Sequence, residues 1–392
     1  MVAASTVRQW CVRYWHAFLV AALMVLVAIP VARTATPVHA GTSGYTPAQI
    51  AQAYDVTPLA QRGVRGQRQT IAFIEVDGID LNDLAYFDRA FGLPSARPDI
   101  YVPRGTTQAL PPGPETTLDI EWAHALAPAA GLQIYEVTQV GDFQNYSGQL
   151  AAMVEAALGN GATDISMSLR GTGSILCSTL FAAVHLHGAF QDAVAKGVTV
   201  FAASGDYAYH PCQSSRRIGT VYPASDPDVT AVGGTALSLA RGGGYGGETT
   251  WSGSGGGYSI DFRRPSYQRG PGAFDARYRS VPDVAFDAAE TTGVAVRFNG
   301  QWVTVGGTSV GAPCWAALWA LAEQYHEART GKPLGWANPL LYGLANSPQR
   351  NRVYHDITTG NDGHWQAGPG WDRVTGWGSP DAAALVTALG AR

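Results

Sequence analysis

Ser309 sits in the run Gly306-Gly307-Thr308-Ser309-Val310-Gly311-Ala312-Pro313, where a β-rich segment, Gln301 to Val305, gives way to a long apolar one, Val310 to Glu327. Small residues let a chain turn sharply between strand and helix and leave a serine exposed at the helix start. Pro313 suits the first helical turn, where a missing N–H costs nothing. Free N–H groups and the helix dipole favour developing negative charge at that point. A serine so placed reads either as an attacking hydroxyl or as an ordinary helix cap.

An attacking hydroxyl needs a base, and histidine is the usual one. His187-Gly188 falls inside a predicted helix, His124 lies late in another, His210 sits in a loop beside Cys212, and His326-Glu327 lacks a second histidine for a zinc motif. None makes a convincing partner for Ser309. Carboxylates are the remaining choice. Glu115 and Asp119 are four residues apart at the start of a predicted helix and share one face. On a surface such a pair merely complements the helix dipole; in a cleft the two titrate together and one keeps a proton in mild acid. Glu115 then accepts the serine proton while Asp119 orients and polarises it. Asp206, in Ala203-Ser204-Gly205-Asp206, follows a β-rich run. It reads as a turn residue, or as a protonated acid donating to an oxyanion from the carboxyl end of a central strand.

Such side chains meet only if the chain supplies a scaffold. Strands are expected at Thr70 to Val76, Leu132 to Val137, Asp164 to Ser168, Val198 to Ala203 and Val229 to Val232, with the later strand Gln301 to Val305. Helices are expected at Leu81 to Phe91, Glu115 to Leu126, Gln149 to Leu158 and Leu180 to Ala195, with Val310 to Glu327 near the end. Apolar strands joined by helical crossovers imply a mainly parallel sheet covered on both faces. Arg241 to Tyr258, rich in glycine but broken by Tyr245 and Trp251, reads as an ordered loop region. One large α/β domain, 41–392, is expected.

Gly306 to Pro313, the Glu115/Asp119 pair and Ser204-Gly205-Asp206 together resemble the sedolisin, or serine-carboxyl, peptidases, of the kumamolisin kind. The likeness runs from Tyr45-Thr46-Pro47 nearly to the C-terminus, through Ile71-Ala72-Phe73-Ile74-Glu75, Pro282-Asp283-Val284-Ala285 and Gly376-Trp377-Gly378-Ser379-Pro380. It implies a subtilisin-like fold, Ser309 as nucleophile, Glu115 as base with Asp119 behind it, and Asp206 at the oxyanion. Glu75 resembles a family acid that extends this proton network. The activity implied is acid endopeptidase; release of tripeptides, or a catalytically silent binding protein on the same scaffold, are the rival readings. The chain departs from the pattern at Ser168-Leu169-Arg170, where Ser-Trp-Gly is common, and at Tyr207-Ala208 after the oxyanion Asp.

Asp356-Ile357 and Gly368-Pro369-Gly370-Trp371-Asp372 resemble the family's calcium site, within about 355–380. The resemblance implies Ca2+ held by Asp356, Asp372 and the carbonyls of Ile357, Gly368 and Gly370, since hard oxygens suit this ion. The other reading is a Gly/Asp-rich hairpin, because Asn361-Asp362-Gly363 is turn-like.

Arg8 and Arg13 precede an apolar run from Ala17 to Ile29, with Val38-His39-Ala40 at its exit and no Asp or Glu before Gly41. Residues 1–40 therefore read as a secretory signal peptide, with an uncleaved anchor as the alternative. Sequence of the family's catalytic type follows it directly, so the long prodomain usual in the family is not expected within the chain, and one supplied in trans is the corresponding partner. A secreted monomer acting on peptide or unfolded protein is expected, with no membrane contact after signal cleavage. The chain carries 26 Lys and Arg against 30 Asp and Glu, a net charge of −4 without basic clusters, which gives no reason to expect nucleic acid. Few charges suit survival in acid. Cys177 and Cys212 each follow a predicted strand and form the expected disulfide, whereas Cys314 falls in an apolar helix as a buried thiol.

Overall fold

A computed structural model describes residues 44–102, 106, 108–138, 143–169, 183–210 and 218–391. All belong to one compact unit, His39–Arg392. The expected signal peptide and the Cys177–Cys212 pair lie outside the described residues. No helix among the described residues is long and apolar enough to cross a membrane.

The main sheet contains β1 (Thr70–Glu75), β2 (Asp99–Tyr101), β3 (Gly131–Glu136), β4 (Asp164–Met167), β5 (Thr199–Ala203), β6 (Val229–Leu239), β7 (Tyr245–Thr250) and β10 (Val284–Asp287). Its order is β10-β6-β5-β4-β1-β3-β2, all parallel, with β7 antiparallel on β6. The intervening strands β8 (Gly257–Arg263) and β9 (Tyr278–Val281) pair apart from it. Because successive side chains point to opposite faces, each strand feeds both layers. Ile71, Phe73, Leu132, Ile134 and Phe201 pack with the helices Pro114–Leu126 and Gly311–Thr330. Ala72, Ile74, Tyr135, Ile165, Met167 and Val200 pack on the other face with helices Phe143–Gly159 and Ala183–Ala195. This is the subtilisin-like α/β arrangement expected from the sequence.

One expectation needs correction, and one expected strand has a different setting. Arg241 to Tyr258 is not loop throughout: a turn after β6 returns the chain as β7, and Gly257 opens β8. Gln301–Val305 (β12) lies outside the main sheet, paired antiparallel with β11 (Val294–Phe298). Asn299 and Gly300, both at positive φ (51° and 70°), make the tight turn between them.

The long helix Gly311–Thr330 is buried along nearly its whole length. Gly311 is required by packing, since a Cβ there would stand 2.6 Å from Val232 Cγ1. Trp315 Nε1 donates to the Ala285 carbonyl at 2.9 Å. Lower on the same helix, Glu323 meets Asp164 at the start of β4, and both are buried. Burial holds both carboxyls well above the usual range, and the pair shares a proton with Glu323 as the donor.

A raised native-state pKa stabilises the fold below the unfolded value, near 4, and that contribution is lost as pH climbs toward the folded one. Glu323→Gln, which keeps a donor and removes the ionisable group, is therefore expected to flatten the fall in Tm between pH 4 and 7. At pH 7 it should gain on the order of 1 kcal/mol over the parent. Parallel Tm-versus-pH curves for the two proteins would contradict this.

Candidate active site

The site forms where β1 and β4 end against the two helices of one layer. Phe73 is level with Ser166 on β4 and with Ile134 on β3. Two residues further along, the same face carries Glu75, Ser168 and Glu136, all buried. Glu75 thus points at the Pro114–Leu126 helix because of its parity with Ile71 and Phe73.

That helix begins at Gly113, whose lack of a side chain leaves its first N–H groups uncapped from within. Asp77, just past β1, does the capping: Thr116 N donates to Asp77 Oδ1 at 3.1 Å. The Thr116 hydroxyl lies 2.9 Å from the Asp77 carbonyl and 3.2 Å from Glu75 Oε2, and it also makes a short contact with Asp77 Oδ1. Glu115 and Asp119 follow on the buried side of the first turns, at 5 % and 0 % exposure. The pair expected to share a face therefore lies inside the protein and not on its surface. Burial, then the charge of Glu115, hold the Asp119 carboxyl well above the usual carboxylate range, against hydrogen bonds from Ser168 and Glu75. Glu75 is raised by burial and then by Asp119, Glu115 and Asp77. The Cys314 thiol, one turn into the long helix, is pushed up by burial and then by the charge of Asp119, so the acids reach the element that follows Ser309.

Ser309 is half-buried in the turn that starts this helix, with Val310 N donating to Gly307 O at 3.1 Å and Gly311 N to Thr308 O at 3.1 Å. On one side Ser168 Oγ donates to the Ser309 carbonyl at 3.4 Å, and the same hydroxyl lies beside Asp119, its single proton serving one acceptor or the other. On the other side lies Asp206, solvent-exposed, three residues beyond β5. Its Oδ1 accepts from Thr308 N and from Thr308 Oγ1, each at 2.8 Å, while Thr308 Oγ1 accepts from Gly205 N at 3.0 Å. Asp206 Oδ2 is left facing Gly307, where a Cβ would come within 2.8 Å of it. Gly307 also adopts φ +112°, a conformation that favours glycine.

The structure accordingly gathers Glu75, Glu115 and Asp119 into one buried acidic cluster and ties Asp206 to the residue preceding Ser309. The histidines are engaged elsewhere. His124 Nε2 contacts the Pro94 carbonyl at 2.8 Å, His187 Nδ1 pairs with Asp226 at 2.9 Å, and His326 Nδ1 contacts the Leu389 carbonyl at 3.3 Å. His210 stacks on Tyr209 at 4.1 Å. Sequence reasoning gave no role to Thr308, Thr116 or Asp77 and read Ser168 only as part of a departure. The alternation of β1 and β4 was the available signal for Ser168; nothing local marks Asp77 as the cap of a helix that starts at Pro114.

The carboxyl-terminal loop folds back on itself. Gly370 N donates to Asp356 Oδ2 at 2.9 Å, and Gly368 N to Asp372 Oδ2 at 3.2 Å. Asp372 Oδ1 takes Val374 N and Thr375 N at 2.8 and 2.9 Å. Asp356 Oδ1 is buried with no donor. Burial raises the carboxyl of Asp356 and pushes that of Asp372 up to about 6.

Comparison with known proteins accords with this geometry. No family model matches the chain. Kumamolisin of Bacillus sp. (strain MN-32) is 37% identical over 378 residues, which cover 89% of this chain and 64% of that protein. Tripeptidyl-peptidase 1 of Canis lupus familiaris is 30% identical over 388 residues, covering 88% and 64%. The chain thus spans a little under two thirds of the length of these relatives. Among solved structures, Pseudomonas sedolisin, a serine-carboxyl proteinase complexed with two molecules of pseudo-iodotyrostatin, is similar with a TM-score of 0.74 at 28% identity, over 88% of this chain and 98% of that one. Fold and site define a class: a subtilisin-like parallel α/β scaffold that presents a serine between carboxyl groups. The chain belongs to the sedolisin family.

Proposed function

We propose that this chain is a secreted, acid-active serine-carboxyl endopeptidase. Ser309 Oγ attacks the scissile carbonyl while its proton passes to Glu115, whose affinity for it is set by the proton shared with Asp119. Protonated Asp206 donates to the oxygen that gains charge. The C–N bond breaks as the proton moves to the leaving amine, and water then releases the acyl group from Ser309. The observation that carries this reading is the double donation from Thr308 to Asp206 Oδ1. It reserves Oδ1 as an acceptor, so a proton on Asp206 resides on Oδ2. Secretion is supported by the charged and apolar pattern before Gly41. Relatives named as tripeptidyl-peptidases make stepwise release of tripeptides the second reading; product masses from a long unfolded substrate separate internal cuts from trimming.

At about pH 4, where carboxyl groups titrate, the protein is expected to degrade an unfolded protein substrate. Ser309→Ala should lower the rate by at least about 10⁴-fold and Asp206→Ala by on the order of 10²–10³-fold. Because Asp206 donates only when protonated, the rate should fall as pH rises toward neutrality. A full rate at pH 8 that is indifferent to Asp206→Ala would overturn the assignment.

Gly307→Ala adds a methyl that would stand 2.8 Å from Asp206 Oδ2. Displacing a donor from the oxyanion position is expected to cost on the order of 10²-fold in kcat. Unchanged kcat in a folded Gly307→Ala protein would argue against Asp206 acting there.

The carboxyl-terminal loop suits calcium. The buried, donor-free Asp356 Oδ1 and the carbonyls of Ile357, Gly368 and Gly370, which accept no hydrogen bond among the described residues, are hard oxygens with spare capacity. With Asp372 they would hold the ion, whose contribution is to tie the loop to the body of the protein. Chelation by EDTA is expected to lower Tm by at least about 3 °C, and an unchanged transition would remove the metal from the account.

A further inference from the structure

We propose that Asp77 is a positioning residue of this site: its carboxylate replaces the missing N-cap of the Pro114–Leu126 helix and sets a fixed negative charge against Glu75, Glu115 and Asp119. The inference rests on the peptidase reading above and goes beyond it by naming what seats and tunes the base.

Space has been made for this carboxylate. Gly113 occupies the N-cap position, and a Cβ on it would stand 1.8 Å from Asp77 Oδ2. The same segments are latched by Gly78 N to Pro111 O at 2.8 Å and Gly113 N to Gly78 O at 3.0 Å. Thr116, three residues past the cap, gives Asp77 its backbone N–H and its hydroxyl. Its hydroxyl also contacts Glu75 Oε2, so one side chain connects cap and cluster. The position of Glu115, between Gly113 and Thr116 in the chain, is thereby fixed by Asp77.

The charge acts on what it faces. From β1 this is Glu75; from the capped helix, Asp119, with Glu115 beside the cap; and from β3, Glu136, whose Oε2 accepts Leu110 N at 2.7 Å. Asp77 raises Glu75, Asp119 and Glu136 alike. The helix dipole favours an anion at that end, and the buried acids that face it keep their proton to higher pH.

The test compares Asp77→Asn and Asp77→Ala with the parent, with Ser309→Ala as the control. Asparagine keeps an acceptor for Thr116 and removes the charge; alanine removes both. For Asp77→Asn the acid limb of kcat/KM should move to lower pH by roughly half a unit to one unit, because the pair ionises more readily. Asp77→Ala should show the same displacement with a several-fold lower kcat and a lower Tm, both restored by Asn. In the Ser309→Ala background, Tm should fall less between pH 4 and 7 when Asp77 is Asn, since less raised proton affinity is lost as pH rises. Coincident pH limbs and coincident Tm-versus-pH curves for Asp77→Asn and parent overturn the inference. Hydrolysis that survives Ser309→Ala overturns the peptidase reading instead, and the Tm-versus-pH comparison then decides on Asp77 alone.

Discussion

An ionised carboxyl group taken out of water must find a cation or strong donors, or keep its proton. That constraint organises this molecule. Glu75, Asp119, Asp164, Glu121, Asp287 and Glu323 are all buried, and each is pushed upward with burial as the leading cause. Among the described residues, Asp283 is answered by a buried cation, with Arg279 2.9 Å from Oδ1. Near Ser309 the acids instead crowd one another. A cluster of this kind can pass protons between carboxyls, which is what the proposed attack by Ser309 requires when His124, His187, His210 and His326 are committed to Pro94, Asp226, Tyr209 and Leu389.

The scaffold turns that constraint into a site by strand parity. Ser168, Glu75 and Glu136 are successive points of one row across β4, β1 and β3, on the face that the Pro114–Leu126 and Gly311–Thr330 helices cover. A shift of one residue in β1 would send Glu75 to the opposite layer, among Ile165 and Met167. The same parity on β4 that delivers Ser168 to the site delivers Asp164 to Glu323 further down. The acidic cluster at one end of the sheet and the Asp164–Glu323 pair at the other thus follow from one alternation. The second half of the site is anchored differently. Asp206 is exposed, and its place depends on donors from Thr308.

How much of this was legible depended on whether the signal was local. Helices Leu81–Phe91 and Pro114–Leu126 and strands β1, β3, β4 and β5 declare themselves through apolar periodicity and came within a residue or so of their bounds. The turn at Ser309 was legible because its glycines answer to steric demands: Gly307 at Asp206 and Gly311 at Val232. Asn299-Gly300 was an equally local sign of a tight hairpin, and it marks β12 as half of a ribbon with β11. The glycines of Arg241 to Tyr258 misled in the other direction, because β7 gains its order from pairing with β6, which composition does not display. Asp77 was beyond reach for the same reason. Its partner is Thr116, and the glycine that admits it is Gly113, so its meaning exists only once the chain has folded.

The two halves of the site also divide the electrostatic task. Glu75, Glu115 and Asp119 are enclosed, so protein neighbours set their proton affinity, and Ser168 stands between Asp119 and the Ser309 carbonyl, on which its hydroxyl rests. Asp206 stands in contact with water, so the medium has direct access to its proton. In the proposed mechanism, an acceptor in a dry pocket whose neighbours are acids and a donor open to solvent work together only in the interval where the first has lost a proton and the second has not. That mechanism needs no separate pH sensor: the difference in burial between the two sides of Ser309 defines its window.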